Sequence, residues 1–269
     1  MKIEKKKSAS LPISSRSSSK LMVVTDSTSN MAFPRTSGKI LAMHQPNYLP
    51  WLGYFYKMAH CDVFVYLDAV QFPRGQSFAA RNRIKTPNGV TFLTIPLRHP
   101  KGREGKFTYL EVEFADDKWK AKHLKTVELS YKRAPFFKEI YPLYREQLLA
   151  HASFVELTIG LIETFANYLD IRSQRIRLSR LLSQFGQKSQ LIVDLCQATG
   201  ATVYLSGTGG GKIYNDEQFL NQHGIQLIYS DFQHPTYPQL WGDFVPSLAV
   251  LDVLFNCGRD TRRFLLANS

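Results

Sequence analysis

An α/β domain on a mostly parallel sheet is the fold class that this sequence predicts, and three patterns predict it. From Lys39 onward, short apolar runs punctuated by Gly and Pro alternate with stretches of helical period. Toward the C-terminal end, a helix, a Gly stop and a strand follow one another twice, the order of βαβ units whose strands pair in parallel. Between the early and the late strands, residues 116–170 read as helices, which predicts an inserted helical subdomain.

Taken in order, strands are expected at 40–43, 63–67, 91–95 and 110–114, with a short helical segment at 55–59 behind the first. Asp116 is a candidate N-cap for a helix at 118–130, which is followed by helices at 136–149 and 154–169. A strand at 176–178 comes next, then a helix at 190–198 stopped by Gly200 and a strand at 202–205. A helix at 217–222 stopped by Gly224 and a strand at 226–229 repeat that order. Ser247 reads as the N-cap of a last helix whose apolar stripe is Val250, Leu251 and Leu254, and Asp252 on it is either exposed or a buried acceptor. The sequence shows no internal repeat.

With 269 residues, 44% of them hydrophobic, the chain has enough apolar material for a large core. No apolar run reaches the roughly 18 residues that a membrane-spanning helix needs. Cys61, Cys196 and Cys257 are far apart and form no C-x-x-C pair, so a disulfide scaffold is not supported and a reducing, cytoplasmic setting is expected. The net charge of +12 suggests nucleic acid, but residues 1–39 hold eight Lys or Arg against Glu4 and Asp26, half of the total. The aromatic residues form no RRM or OB signature, and no nucleic-acid partner is expected. Residues 1–38, with ten serines and Lys5-Lys6-Lys7, are read as a disordered basic tail before a single domain at 39–269. Their composition also fits an organelle transit segment, although no regular amphipathic helix is visible in them.

Four constellations could carry chemistry. The first is His44-Gln45-Pro46-Asn47-Tyr48-Leu49-Pro50-Trp51-Leu52-Gly53-Tyr54, directly after the first strand. In an open α/β sheet ligands bind beyond the carboxyl ends of the strands, so His44, Gln45, Asn47 and Tyr48 are site candidates. Two prolines stiffen the turn, and the plainer reading is a rigid crossover whose polar groups cap local backbone. A His-containing loop between the first strand and first helix has the general form of nucleotide-binding (HUP or Rossmann-like) layouts. Those normally show H-x-G-H, whereas here Tyr54 follows Gly53.

The second constellation is Asp68-Ala69-Val70-Gln71-Phe72 with Arg81-Asn82-Arg83-Ile84-Lys85. Asp68 at a strand end could orient His44, bind a hydroxyl or hold a metal, while the Arg/Lys cluster, with Asn82 and Arg83 in it, could recognise phosphate or carboxylate; taken alone, the basic run is more often a solvated hairpin. The third is the Gly-rich run from Ser206-Gly207 to Lys212-Ile213-Tyr214, suited to phosphate contact through backbone N–H groups, with Lys212 as an anion contact or the whole loop as a lid. It lacks the Gly and Ser/Thr positions of a Walker A loop, and Lys212 breaks G-x-G-x-x-G. The fourth is His234-Pro235-Thr236-Tyr237-Pro238-Gln239 with the helix after it, whose apolar stripe reads as core. The remaining histidines show no HxxxH or HExxH spacing, so no metal site is expected, and there is no G-x-S-x-G elbow.

At these motifs the sequence resembles the WbqC-like protein family: H-Q-P-N-Y-L-P-W-L-G-Y-F, D-A-V-Q-F, R-N-R-I-K, the stretch from Trp119 to Tyr131 with Ala134-Pro135-Phe136-Phe137, Y-L-S-G-T-G-G, and the closing L-D-V-L-F-N-C-G. The resemblance runs from about Lys39 to about Phe264. It implies a role in O-antigen or other surface-polysaccharide biosynthesis, where some members are labelled glycine transferases. It also implies His44, Gln45, Asn47, Tyr48, Asp68, Asn82, Arg83, Ser206, Gly207 and Tyr214 as site residues. Together these readings predict a transferase that attaches an amino-acyl group, glycyl among them, to a sugar nucleotide or glycan precursor. His44 would be the general base and Asp68 would orient it, while Arg83 and the Gly-rich loop would hold a phosphate-bearing donor. No cofactor is required, and a nucleotide or nucleotide sugar is the expected ligand. The alternatives are a non-catalytic nucleotide- or sugar-binding accessory protein and a nucleotidyltransferase-like enzyme.

The expectation for the tail is directly measurable: deleting residues 1–38 should leave thermal melting within about 5 °C of the full chain, a larger fall meaning more than roughly 1 kcal/mol of packing on the domain.

Overall fold

The computed structural model of the chain describes residues 37–75, 77–98, 106–209 and 215–266, and the tail predicted for 1–38 lies almost wholly outside them. Five strands form one parallel sheet: β1 (Ile40–His44), β2 (Val63–Tyr66), β7 (Gln174–Arg177), β8 (Val203–Ser206) and β9 (Gln226–Tyr229). They lie in the order β7-β2-β1-β8-β9, so the sheet grows to one side of β1 and then reverses to the other. Two antiparallel pairs stand apart from it: β3 (Arg81–Thr86) with β4 (Gly89–Thr94), and β5 (Leu97–Arg98) with β6 (Glu113–Phe114).

Side chains alternate across the pleat and sort into two cores. Ala42, Phe64, Tyr66, Val203 and Leu205 face the larger one. It is filled by α1 (Leu52–Ala59), α2 (Lys118–Tyr131), α3 (Phe137–Ala150), α4 (Phe154–Tyr168) and α8 (Val250–Cys257). Leu41, Val63, Val65 and Tyr204 face the other, covered by α5 (Leu178–Leu181), α6 (Ser189–Thr199) and α7 (Glu217–Gln222). A short α9 (Thr261–Leu266) ends the described chain and packs on α1. Among the described residues, no helix is long and apolar enough to cross a membrane.

The three helices α2, α3 and α4 fall in the block read as helical. Its last member is tied to the sheet by ion pairs: Arg175 Nε meets Glu163 at 2.8 Å, and both Arg177 guanidinium nitrogens meet Glu156 at 2.5 and 2.7 Å. Glu163 also accepts from Tyr66 Oη at 2.7 Å, so the edge strand and its neighbour are pinned to one helix.

Three local expectations give way. Residues 110–114 are not one strand: the Glu111 carboxylate accepts from Thr108 N and Oγ1 and closes a 3-10 turn at Tyr109–Glu111, leaving Glu113–Phe114 to pair. Arg81–Thr86 is a hairpin strand but not a solvated one, because Asn82, Ile84 and Lys85 are buried beneath the segment 239–249. Ser247 caps nothing; it sits at φ +57° with its N–H donated to His234 Nε2, and helix α8 begins at Val250.

Asp252 is the buried acceptor. It accepts from Tyr131 Oη at 2.7 Å and Tyr237 Oη at 3.0 Å and so joins α2, α8 and the segment after β9, with burial raising its pKa. Asp252→Ala should strand two buried hydroxyls and cost roughly 2–4 kcal/mol in urea denaturation, whereas Asp252→Asn, which keeps an acceptor, should cost less.

Candidate functional site

The point where the sheet reverses lies between β1 and β8, and there the chain leaves both strands on the same side because they are parallel. A cavity of about 550 Å³ opens at that point. Its wall takes His44 and Gln45 from the end of β1, Ser206 to Gly209 from the end of β8, Gly53 and Lys57 from α1, and Lys188 from the start of α6. A Cβ added at Gly207 or Gly209 would meet nothing within 4 Å, so the two glycines leave room at the wall rather than satisfying a packing demand.

Among the described residues no carboxylate lines this cavity, yet two lysines do. Lys57 is buried, donates from Nζ to Met43 O at 2.7 Å, and is pushed down to about 8 by that burial. Lys188 is exposed at the mouth. Cations on a wall that holds no acid among the described residues set a potential that favours an anion.

A second cavity of about 340 Å³ adjoins the first, lined by Asn47, Pro50, Phe78, Asn82, Arg83 and Ser247. His44, Trp51 and Tyr54 belong to both walls, so these three side chains form the partition. Trp51 stays 40% exposed, edge-on to Phe232 and parallel to His234. Gly53 is required beneath it, since a Cβ there would come within 2.5 Å of the indole.

His44 Nδ1 lies 3.1 Å from Gln45 O, and a carbonyl can only accept, so Nδ1 carries the proton and Nε2 the lone pair. The imidazole is pushed down to about 3, first by burial and then by the Lys57 ammonium, and is therefore neutral at physiological pH.

The other predicted residues divide sharply. Gln45, Ser206 and Gly207 line the first cavity with His44, and Asn47, Asn82 and Arg83 line the second. Arg83 and the Gly-rich loop thus belong to different cavities rather than to one anion grip. Tyr48 turns into the core, where its Oη bonds His123 Nδ1 at 3.0 Å and Tyr144 Oη at 2.9 Å; it anchors the turn instead of touching a ligand. Asp68 does not orient His44. It is fully buried, with Oδ1 accepting from Ser179 N at 2.9 Å and Oδ2 from Ser179 Oγ at 2.6 Å, and so fastens α5 to the end of β2.

Asn82 is also a positioning group, donating to Leu49 O at 2.6 Å and accepting from Arg83 N at 2.8 Å. Ser206 is held by Asn215 Nδ2 at 2.8 Å. Lys212 and Tyr214 lie outside the described residues. The sequence reading missed Lys57, Lys188, Trp51 and Tyr54 as wall residues. Lys57 was within reach, because it stands one helical turn after Gly53 and so shares that face. Among the described residues no group of three His, Cys, Asp or Glu could hold a metal ion.

The model of the WbqC-like protein family matches residues 45–264. A protein of Mycobacterium tuberculosis (strain ATCC 25618 / H37Rv) named uncharacterized protein Rv1507c is 33% identical over 233 residues, which cover 84% of this chain and 97% of that protein.

Burial holds His44 near 3 and His123 near 4, and it also lowers His234, so these rings are neutral in the folded chain. The unfolded chain takes up their protons below about pH 6.5, so their share of stability is full above that pH and is lost as pH falls toward 4 and then 3. Chemical denaturation at pH 7 and pH 5 should differ by at least about 1.4 kcal/mol, and an unchanged midpoint would mean that the rings are not buried neutral.

Proposed function

The chain belongs to the WbqC-like protein family, and on that premise we propose that it is a transferase that moves an amino-acyl or similar acyl group from a phosphate-bearing donor to a sugar nucleotide or glycan precursor in surface-polysaccharide synthesis. The observation that carries this reading is the partition: His44 stands on the walls of two adjoining cavities, as a group that acts between a donor and an acceptor must. The first cavity is the donor side. Its strand-end position, its two lysines and its glycines suit a nucleotide or other phosphate ester, and the strand order around β1 is that of dinucleotide-binding sheets. The three buried free cysteines fit a cytoplasmic setting.

In this mechanism the acceptor's hydroxyl or amine attacks the donor's acyl carbonyl. Its proton passes to His44 Nε2, and the acyl–oxygen bond to the phosphate breaks with the electron pair leaving on a phosphate oxygen. Lys57 and Lys188 stabilise that charge. An imidazole held near 3 is a feeble base in the free protein. A phosphate in the cavity places negative charge beside it and offsets Lys57, which raises its basicity only when the donor is present.

The low basicity also favours a second reading, a non-catalytic nucleotide- or sugar-binding accessory protein. A nucleotidyltransferase-like reaction draws on the same strand-end cavity. His44→Ala separates the first two readings: acyl transfer should vanish while ligand-induced shifts in Tm persist, with stability changed by less than about 1 kcal/mol. The donor side is tested by thermal shift with nucleoside diphosphates and nucleotide sugars, whose stabilisation should fall at least about tenfold in affinity in Lys188→Glu. Neutral sugars that stabilise as well as their nucleotide forms would overturn it.

A further inference from the structure

We propose that the second cavity is a subsite for an anionic pyranose, its ring against Trp51 and Phe78 and its anionic substituent on Arg83. The inference rests on the two-cavity reading above and names the substrate class of its acceptor side. Two aromatic side chains with unusual exposure meet there, Trp51 at 40% and Phe78 at 51%, and Phe78 continues to half-exposed Phe92, 6.2 Å away between ring centroids. Large aromatic faces left open beside a cavity suit the C–H face of a sugar ring, and a volume of about 340 Å³ suits a single ring with its substituents.

The polar groups of the same wall are incompletely used. Tyr54 is buried, and its hydroxyl has no hydrogen-bond partner. Arg83 bonds the carbonyls of Ser247 at 3.1 Å and Pro246 at 3.5 Å through one terminal nitrogen, while its buried Nε has no partner. Among the described residues no carboxylate pairs with Arg83, and none lines this cavity. A buried donor without a partner is unfavourable, and a guanidinium with no counter-charge keeps the pull of a full charge. An anionic substituent would supply the counter-charge that the Arg83 guanidinium lacks, through the part of the fork that Ser247 and Pro246 leave unused. Carboxylate and phosphate share the geometry that a guanidinium fork recognises, so the substituent is either a uronate carboxylate or a sugar phosphate.

Calorimetric titration of the full chain with methyl glucuronide, glucose 6-phosphate and methyl glucoside tests this, with UDP titrated separately for the first cavity. At least one anionic sugar should bind about tenfold or more tightly than the neutral glucoside, and the tighter of the two identifies the anion. Arg83→Lys, which keeps the charge but loses the fork, and Phe78→Ala, at a half-exposed position, should each weaken that sugar about tenfold while leaving UDP binding unchanged, and Phe78→Ala should also leave Tm unchanged. Equal binding of neutral and anionic sugars, or anionic binding unaffected in both variants, overturns the proposal. UDP binding with no sugar binding overturns the subsite and leaves the two-cavity reading standing. Anionic sugar binding without UDP supports the subsite and removes the donor side instead.

Discussion

The cleft depends on one strained residue and the side chain that holds it. Leu49 is fully buried at φ +48°, a left-handed backbone that a leucine adopts only under constraint, and Asn82 Nδ2 grips its carbonyl at 2.6 Å. That bend turns the chain out of β1 and into α1. Tyr48, one residue earlier, plugs its hydroxyl between His123 and Tyr144 of the helical insertion, and its N–H bonds Ala79 O. Val250 N reaches Pro50 O, and Trp51 bridges to Ala249. With these anchors the turn joins the sheet, the insertion, the β3–β4 hairpin and helix α8, so the partition residues His44, Trp51 and Tyr54 are set by all four at once.

That arrangement explains what the sequence disclosed and what it withheld. The strands and helices were legible where burial extends over several residues, as the apolar stripe of α4 or the continuous apolar run of β2, which is buried on both faces. It failed where a single polar contact decides the local path: the Glu111 carboxylate at Thr108, the Ser247 N–H on His234, the Asn82 amide on Leu49. The polar turn after β1 was recognised as special, but its residues were not separable by type. Tyr48 and Asn82 look as reactive in sequence as His44 does, and only the fold shows that their polar atoms are occupied by protein partners. Lys57 was hidden for the converse reason: a lysine in a helix reads as solvated, and only tertiary packing buries it.

Charge is distributed with the same division. The buried or half-buried acids work in structural pairs: Asp68 on Ser179, Asp252 on Tyr131 and Tyr237, Glu156 and Glu163 on the arginines of β7. Among the described residues, the charged groups of both cavity walls are cations only. An acid at either wall would close an ion pair with Lys57 or Arg83 and stabilise the empty protein, yet it would cancel the potential that draws an anion in.

The backbone points the same way. Leu49, Lys188 and Ser247 are three of the non-glycine residues with positive φ among the described residues; Lys188 lines the first cavity, Ser247 the second, and Leu49 the turn between them. Left-handed backbone at such residues costs on the order of 1–3 kcal/mol each and survives only where the surroundings over-determine it. The buried Tyr54 hydroxyl and Arg83 Nε, which have no hydrogen-bond partner, belong to the same two walls. Backbone held in this way around His44 suits a preformed binding surface, because groups held rigid before the ligand arrives lose no further freedom when it binds.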